Sequence, residues 1–379
     1  MQQLNYRNTV GQKMVMVIAL AWMSLYPVYT NYYDGLAVEQ YERHLNWVKG
    51  ESMFFNPWQY RVLSPLMIEG TYRALDATVF KLIDVKEVDV NHPSTTPAQK
   101  YEKTQKLLEL SDNPEFIKYT VVFIGYRILI HLLIFWLAYR FYGYFVRNKA
   151  LVIFLLLVIV MFLGNGITDC DLTVNTYVDI CFYLWAGIVI VEKKNPWWIV
   201  AISILGSFNR ETSLLIPGLY YFSQLDYSKG RAPFKMLFED KKVVLVTGAS
   251  LIGFFAVFVG IRSVIGYIPA EGWRVSTGLP MLKLNLMSPV GIKTYMELFG
   301  VLGFLPFVAF LFFRRLDFYL KVFLVVLVPI WFGIHLSSVV SYQARMFLVP
   351  SLLVFLPSAL QVVDQIFESR SERYQNQTV

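Results

Sequence analysis

The sequence predicts an all-α fold: a polytopic transmembrane helix bundle of about ten spans, with interfacial helices in a long first outer loop. Three observations predict it. Hydrophobic residues make up 56% of the 379-residue chain and charged residues only 16%, against about 25% charged in an average soluble domain. Aromatics reach 17%, with 30 Phe, 24 Tyr and 9 Trp. The apolar residues gather in runs of membrane-spanning length, and mean hydropathy is +0.48. A soluble fold of this size cannot hide that much apolar surface behind so few charges. The composition therefore excludes a soluble enzyme, a secreted disulfide module and a disordered scaffold. The net charge of +7 needs no nucleic acid, because inner loops of membrane proteins carry surplus Lys and Arg. The two cysteines, Cys170 and Cys181, make neither a metal spacing nor a disulfide framework.

The elements follow in order, within a single transmembrane domain over residues 1–379. Residues 14–30 form the first span, an uncleaved anchor flanked by Arg7 and Lys13. Residues 31–118 form the long first extracytoplasmic loop. Within it, 37–48 alternates Val38, Tyr41, Leu45 and Trp47 with Glu39, Glu42 and Arg43, the pattern of an interfacial amphipathic helix. Residues 62–83 are apolar but carry Glu69, Arg73 and Asp76, so they are expected to lie at the interface or on the bundle. Residues 84–115 read as a polar surface excursion. Spans are predicted at 119–141, 150–166 and 173–191. The run 196–222 is interrupted by Asn209-Arg210-Glu211. A single helix would bring this charge pair near mid-membrane, which is costly, so the run is expected to be two short half-spans. Spans at 243–265, 295–313, 318–336 and 346–363 complete the set. The basic loop 223–242 and the tail 365–379 fall inside; the loop 266–294 falls outside. With the N-terminus inside, sixteen Lys and Arg of the short loops and tails lie inside against six outside, the asymmetry expected of inner loops.

The scarce outer charges are the candidates for chemistry. Asp34 follows the first span directly, beside Tyr32 and Tyr33. A carboxylate there suits a general base or metal ligand; the other reading is a cap on the next helix. Asp169 and Asp171 are spaced to share a hard divalent cation such as Mg²⁺ or Mn²⁺, or form a solvated turn. Tyr60 and Arg61 sit in Trp58-Gln59-Tyr60-Arg61, where a guanidinium could meet a phosphate or a lipid headgroup. Arg210 and Glu211 line a polar cavity or neutralise one another. Arg262, Arg274, His335 and Arg345 end late spans on the outer side and could cradle a phosphate, or serve singly as boundary residues. Asp179 falls inside the fourth span.

The order of these features resembles the bacterial GT-C superfamily of membrane glycosyltransferases, which includes aminoarabinose and mannosyl transferases. That family has a first span, an acidic residue just outside it, interfacial helices, a Gly, a basic-Pro-Pro-Leu segment and a second span opening with Arg. This chain offers Asp34, Gly50, Arg61-Val62-Leu63-Ser64-Pro65-Leu66 and Arg127 in Gly125-Tyr126-Arg127-Ile128. Gly206-Ser207-Phe208-Asn209-Arg210-Glu211-Thr212 is similar to the family's break between two short spans. Departures are Gly35, where the family often has a second acid, and Ser64 for the first Pro. The resemblance covers residues 14–222 and implies roles residue by residue. Asp34 matches the catalytic Asp that activates the acceptor. Arg61 matches the residue holding the lipid-linked phosphate. Asp169 and Asp171 match a second acidic motif for a divalent cation, and Arg210 lines the same cavity.

The implied function is an inverting glycosyltransferase. It would move a sugar from a polyprenyl-phosphate-linked donor to an extracytoplasmic glycan or lipid acceptor, in a bacterial inner membrane, with its active site on the outer face. Its partners would be the donor, the acceptor and membrane lipids, with no nucleic acid. The alternatives are a transporter or flippase of a lipid-linked glycan, or a polysaccharide polymerase. A transporter should show inverted repeats and charges deep within several spans; here the charges gather at one face. An acyltransferase would need a catalytic His within the bundle, for which His131 and His335 are the in-span candidates.

Overall fold

The computed structural model describes residues 10–33, 36–51, 57–83, 106–107, 109–110, 112–167, 170–225, 240–268, 275–341 and 343–377. All regular structure among them is helical. Helix α1 (Val10–Tyr33) leads into the pair α2 (Leu36–Val48) and α3 (Leu63–Ala77), with a 3-10 turn, Trp58–Tyr60, between them. Then come α4 (Pro114–Phe145), α5 (Lys149–Asn165), α6 (Cys170–Val191), α7 (Trp197–Ser207), α8 (Leu215–Ser223) and α9 (Lys241–Ile265). Helices α10 (Leu279–Met287), α11 (Pro289–Leu302), α12 (Leu305–Leu311) and α13 (Phe318–Ser338) precede the last helical run, which passes through a π turn, Ser351–Phe355, into α14 (Leu356–Gln377). Six helical segments are long and apolar enough to cross a membrane: those containing α1, α4, α6, α9, α13 and α14. The chain is therefore an all-helical integral membrane protein.

The bundle is built around α6. Its apolar stretch Thr173–Val191 is 94% buried with a mean hydropathy of only 1.6, whereas α9 reaches 2.4 with 17% buried. The inversion has a physical cause. A helix facing lipid must be apolar on its outer face, while a helix enclosed by other helices can carry polar groups that its neighbours satisfy. Helix α6 uses that freedom for Thr173, Asn175, Thr176 and Asp179, all buried. It packs against α4, α7 and the π turn. Gly187 makes close approach possible: a Cβ there would lie 2.9 Å from the Phe141 ring of α4 and 3.1 Å from Leu353. Gly164 of α5 likewise lies directly against the Tyr26 ring of α1.

The interrupted run forms two short helices. Helices α7 and α8 have 11 and 9 residues, about 16 and 14 Å of rise, so neither alone crosses a hydrocarbon core of about 30 Å. Between them Arg210 is extended (φ −154°, ψ 148°) and Glu211–Leu214 forms a 3-10 turn. The turn folds back on α7 at Gly206, where a Cβ would meet that of Ser213 at 2.6 Å. Gly206→Ala is therefore expected to cost about 1–3 kcal/mol by overpacking, read as a lowered melting midpoint of the purified chain. An unchanged midpoint would show that the break is pliable.

The run 295–313, expected as one span, is instead bent. Two helical stretches, Pro289–Gly300 and Leu305–Leu311, meet at 69°. Gly303 sits at the corner with φ +53°, a conformation that glycine adopts without penalty, and Pro306 opens the next helix.

The first loop docks on the bundle through aromatic rings. Tyr72 of α3 stacks on Tyr119 of α4 with centroids 3.8 Å apart, and His44 of α2 meets the Tyr119 and Phe123 rings edge-on. Glu69 ties the layer together. It accepts from Tyr119 Oη at 2.9 Å and from Arg73 Nε at 2.6 Å, and lies 3.2 Å from His44 Nε2. Burial pushes the His44 imidazole below its usual range, although Glu69 pulls the other way. Residues 84–105, most of the expected surface excursion, lie outside the described residues.

Candidate functional site

The break between α7 and α8, the 3-10 turn ahead of α3, the end of α13 and the start of the last helical run converge on one cavity of about 200 Å³, and Arg262 of α9 reaches Glu211 on its wall. It is lined by Trp58, Arg61, Arg210, Glu211, His335 and Arg345, among others. Asp179, just beneath it, is nine residues into α6, about 14 Å from that helix's start and 18 Å from its end. The cavity is thus recessed into the bundle rather than perched on a loop.

Each side chain is held by an identifiable element. Leu63 N–H donates to the Phe208 carbonyl at 3.1 Å, which docks the start of α3 against the break and brings Arg61 toward Glu211. Arg61 Nη2 lies 3.6 Å from Glu211 Oε2, and Arg262 Nη2 lies 3.3 Å from Glu211 Oε1. Arg210 points into α6. Its Nη1 is 3.5 Å from Asp179 Oδ2 and 3.3 Å from the Thr176 hydroxyl. Thr212 Oγ1 donates to the same Asp179 oxygen at 2.8 Å, and Asn209 Nδ2 donates to the Asn175 carbonyl at 2.8 Å. The break is therefore pinned to α6 by Asn209, Arg210 and Thr212.

His335 is placed by α13. Its Nδ1 lies 2.8 Å from the Trp331 carbonyl, which can only accept, so Nδ1 carries the proton. In the neutral ring Nε2 is then a lone pair, facing Arg210 Nη2 at 3.5 Å. The imidazole orients the guanidinium. Arg345 Nε donates to Gln343 Oε1 at 2.9 Å.

Tyr60 serves mainly as a platform. Arg262 lies over its ring at 4.1 Å and over Phe258 at 3.4 Å, a cation–π clamp that steers the guanidinium toward Glu211. Tyr60 Oη and Gln59 Nε2 both donate to the Gly266 carbonyl at the end of α9. This strap holds the first loop to a helix two hundred residues downstream.

The electrostatics favour an anion. Among the described residues around the cavity, four guanidiniums (Arg61, Arg210, Arg262, Arg345) face two carboxylates (Asp179, Glu211), a surplus of two positive charges. Burial lowers the Arg61 guanidinium to about 10, against the attraction of Glu211, so it stays charged at neutral pH. Several donors have no hydrogen-bond partner among the described residues: Arg61 Nε and Nη1, and Arg210 Nε. Buried guanidinium N–H groups left unmade are costly, and a tetrahedral oxyanion is the ligand that satisfies them.

Six of the sequence-predicted residues, Tyr60, Arg61, Arg210, Glu211, Arg262 and His335, come together here, and Arg345 joins them on the cavity wall. Asp34, Asp169 and Arg274 lie outside the described residues, as does the side chain of Asp171. Among the described residues no three His, Cys, Asp or Glu side chains gather as metal ligands. The sequence reading placed Asp179 inside a span without assigning it to the site. Asn175 and Thr176, which meet Asn209 and Arg210, fall on the same face at helical spacing, a polar stripe in an apolar run that could have revealed it.

A second, apolar groove of about 580 Å³ shares no lining residue with this cavity, but one of its walls starts at Leu63, two residues beyond Arg61. Leu63 and Met67 of α3 line it, and it follows α4 from Tyr126 to Arg140, about 21 Å along the helix. Cys181, Phe182 and Trp185 of α6 form its other wall.

These features define an all-helical membrane protein with a recessed cavity lined by guanidinium groups. Compared with protein-family models, curated proteins and solved structures, the chain finds no match.

Proposed function

We propose that the chain is an inverting glycosyltransferase that takes its sugar from a polyprenyl-phosphate-linked donor. The observation that carries this reading is the pairing of a buried phosphate-sized anion site with an apolar groove starting at Leu63, two residues beyond Arg61. A lipid-linked phosphate has this chemistry: a compact anion joined to a long apolar tail. The cavity would hold the phosphate and the groove the first isoprene units.

The reaction fits the charges. The acceptor hydroxyl attacks the anomeric carbon, its proton passes to a carboxylate, and the bond from that carbon to the phosphate oxygen breaks. The donor phosphodiester carries one negative charge and the departing polyprenyl phosphate two. A site with a surplus of two positive charges is matched to the product more than to the donor, and so favours the transition state in which that charge develops. Asp34, at the end of the first span, is the proposed base. A base facing the leaving group across the anomeric carbon gives inversion. The proposed setting is a bacterial inner membrane with the site on the extracytoplasmic face, supported by the inner bias of Lys and Arg.

The test is to incubate the purified full-length chain in nanodiscs with a panel of polyprenyl-phosphate pentoses and hexoses and an envelope glycan and lipid extract as acceptor. Sugar-dependent release of free polyprenyl phosphate is expected. Movement of intact donor across proteoliposomes without release would favour a flippase instead.

A further inference from the structure

The anion site is partly filled by the protein's own carboxylate. Glu211 straddles Arg61 and Arg262 at 3.6 and 3.3 Å, beyond the 2.7–2.9 Å of a charge-assisted hydrogen bond. Elsewhere the chain builds close pairs, such as Lys118–Asp76 at 2.6 Å and Arg73–Glu69 at 2.6 Å. Glu211 is reachable from solvent. Its side chain is 30% exposed, against 25% for Arg262 and 7% for Arg61. It begins a 3-10 turn immediately after the extended Arg210, so its side chain can swing without unwinding a helix. It leaves Arg61 Nε and Nη1 and Arg210 Nε unserved. A carboxylate has two oxygens in one plane with its carbon; the tetrahedral phosphorus of the donor diester aims its two free oxygens and two bridging oxygens in four directions, and the monoester product frees a third, so donors on both sides can be reached.

We propose that Glu211 is a displaceable internal counter-ion, a placeholder seated between Arg61 and Arg262 until the phosphate of the lipid donor arrives. This rests on the reading of the cavity as a phosphate site. Without Glu211, two facing guanidiniums would repel each other in a poorly solvated pocket. With it, they stay in place and the phosphate binds by exchange. For a phosphodiester the exchange is charge-neutral. For the monoester product the site gains one negative charge when Glu211 is out, and the returning carboxylate competes with the product and speeds its departure. Glu211 is thus a positioning residue that trades affinity for turnover.

The test uses the full-length chain in detergent, with geranyl phosphate as the probe and tryptophan emission as the readout, since Trp58 lines the cavity. Glu211→Gln removes the competing charge but keeps the shape, and is expected to bind geranyl phosphate about tenfold more tightly than the wild type. Glu211→Asp, too short to span both guanidiniums, is expected to bind more tightly by a smaller factor, and it decides the matter if Glu211→Gln does not fold. Equal or weaker binding by the folded variants, with measurable binding by the wild type, overturns the placeholder and leaves the phosphate site standing. No binding by any of them overturns both. Equal affinity of the wild type for inorganic phosphate and geranyl phosphate would overturn the lipid-donor reading alone.

Discussion

Replacing Arg210 with alanine is expected to destabilise the protein by about 3–5 kcal/mol, because it strands a fully buried Asp179 without its cation. The loss should appear as a lower melting midpoint and as loss of geranyl phosphate binding. The two effects separate in a double variant. Arg210→Met combined with Asp179→Leu removes both charges and keeps volume, and such swaps of buried pairs are often neutral or stabilising. The double variant should therefore recover most of the lost stability while anion binding stays weak. Recovered binding would mean that Arg61 and Arg262 alone make the phosphate site, with Arg210 serving only to anchor the break. Failure to recover stability would mean that Thr176, Thr212 and His335 depend on the charged pair and cannot repack around apolar side chains.

The second large effect is expected at Asp34. Asp34→Asn should lower sugar transfer by about 10²–10⁴-fold, the usual contribution of a general base. Geranyl phosphate should still bind, because the seat is built from Arg61, Arg210 and Arg262. Chemistry lost with binding retained is the pattern of a proton acceptor. Full transfer by this variant would remove Asp34 from the mechanism, and lost binding would make it part of the phosphate site.

The sequence was most legible where cost forced a pattern. Charges in an apolar run are expensive, so Asn209-Arg210-Glu211 announced a break, and the chain does break there into α7 and α8. Amphipathic spacing announced α2. The clustering of Arg61, Arg210, Arg262 and His335 follows from their shared position near the ends of elements. What hydropathy could not show was direction. The apolar run at 295–313 sums to a span whether straight or bent, and only the backbone at Gly303 reveals the 69° corner. Nor could composition show pairing. Asp179 lies on a polar stripe with Asn175 and Thr176, but its partners Arg210 and Thr212 reach it only when the break folds onto α6. The role of Tyr60 was hidden for the same reason, since its ring matters through Arg262, two hundred residues away.

The shortness of α7 and α8 has a consequence for biogenesis. A translocating channel hands a segment to lipid when that segment is long and apolar enough to leave the aqueous path, and 9 or 11 residues fall below the ~20 that a span needs. Neither helix can commit to the bilayer by itself. Both pack against α9, which at 25 residues and a mean hydropathy of 2.4 inserts readily. The break carrying Arg210 and Glu211 must therefore wait, with its charges sheltered by the channel or by α6, until the chain has been made through residue 265. The order of synthesis makes the anion site one of the last parts to assemble. A ribosome stalled before α9 should leave a nascent chain anchored in the membrane through its first spans, with the centre of its site still unfolded.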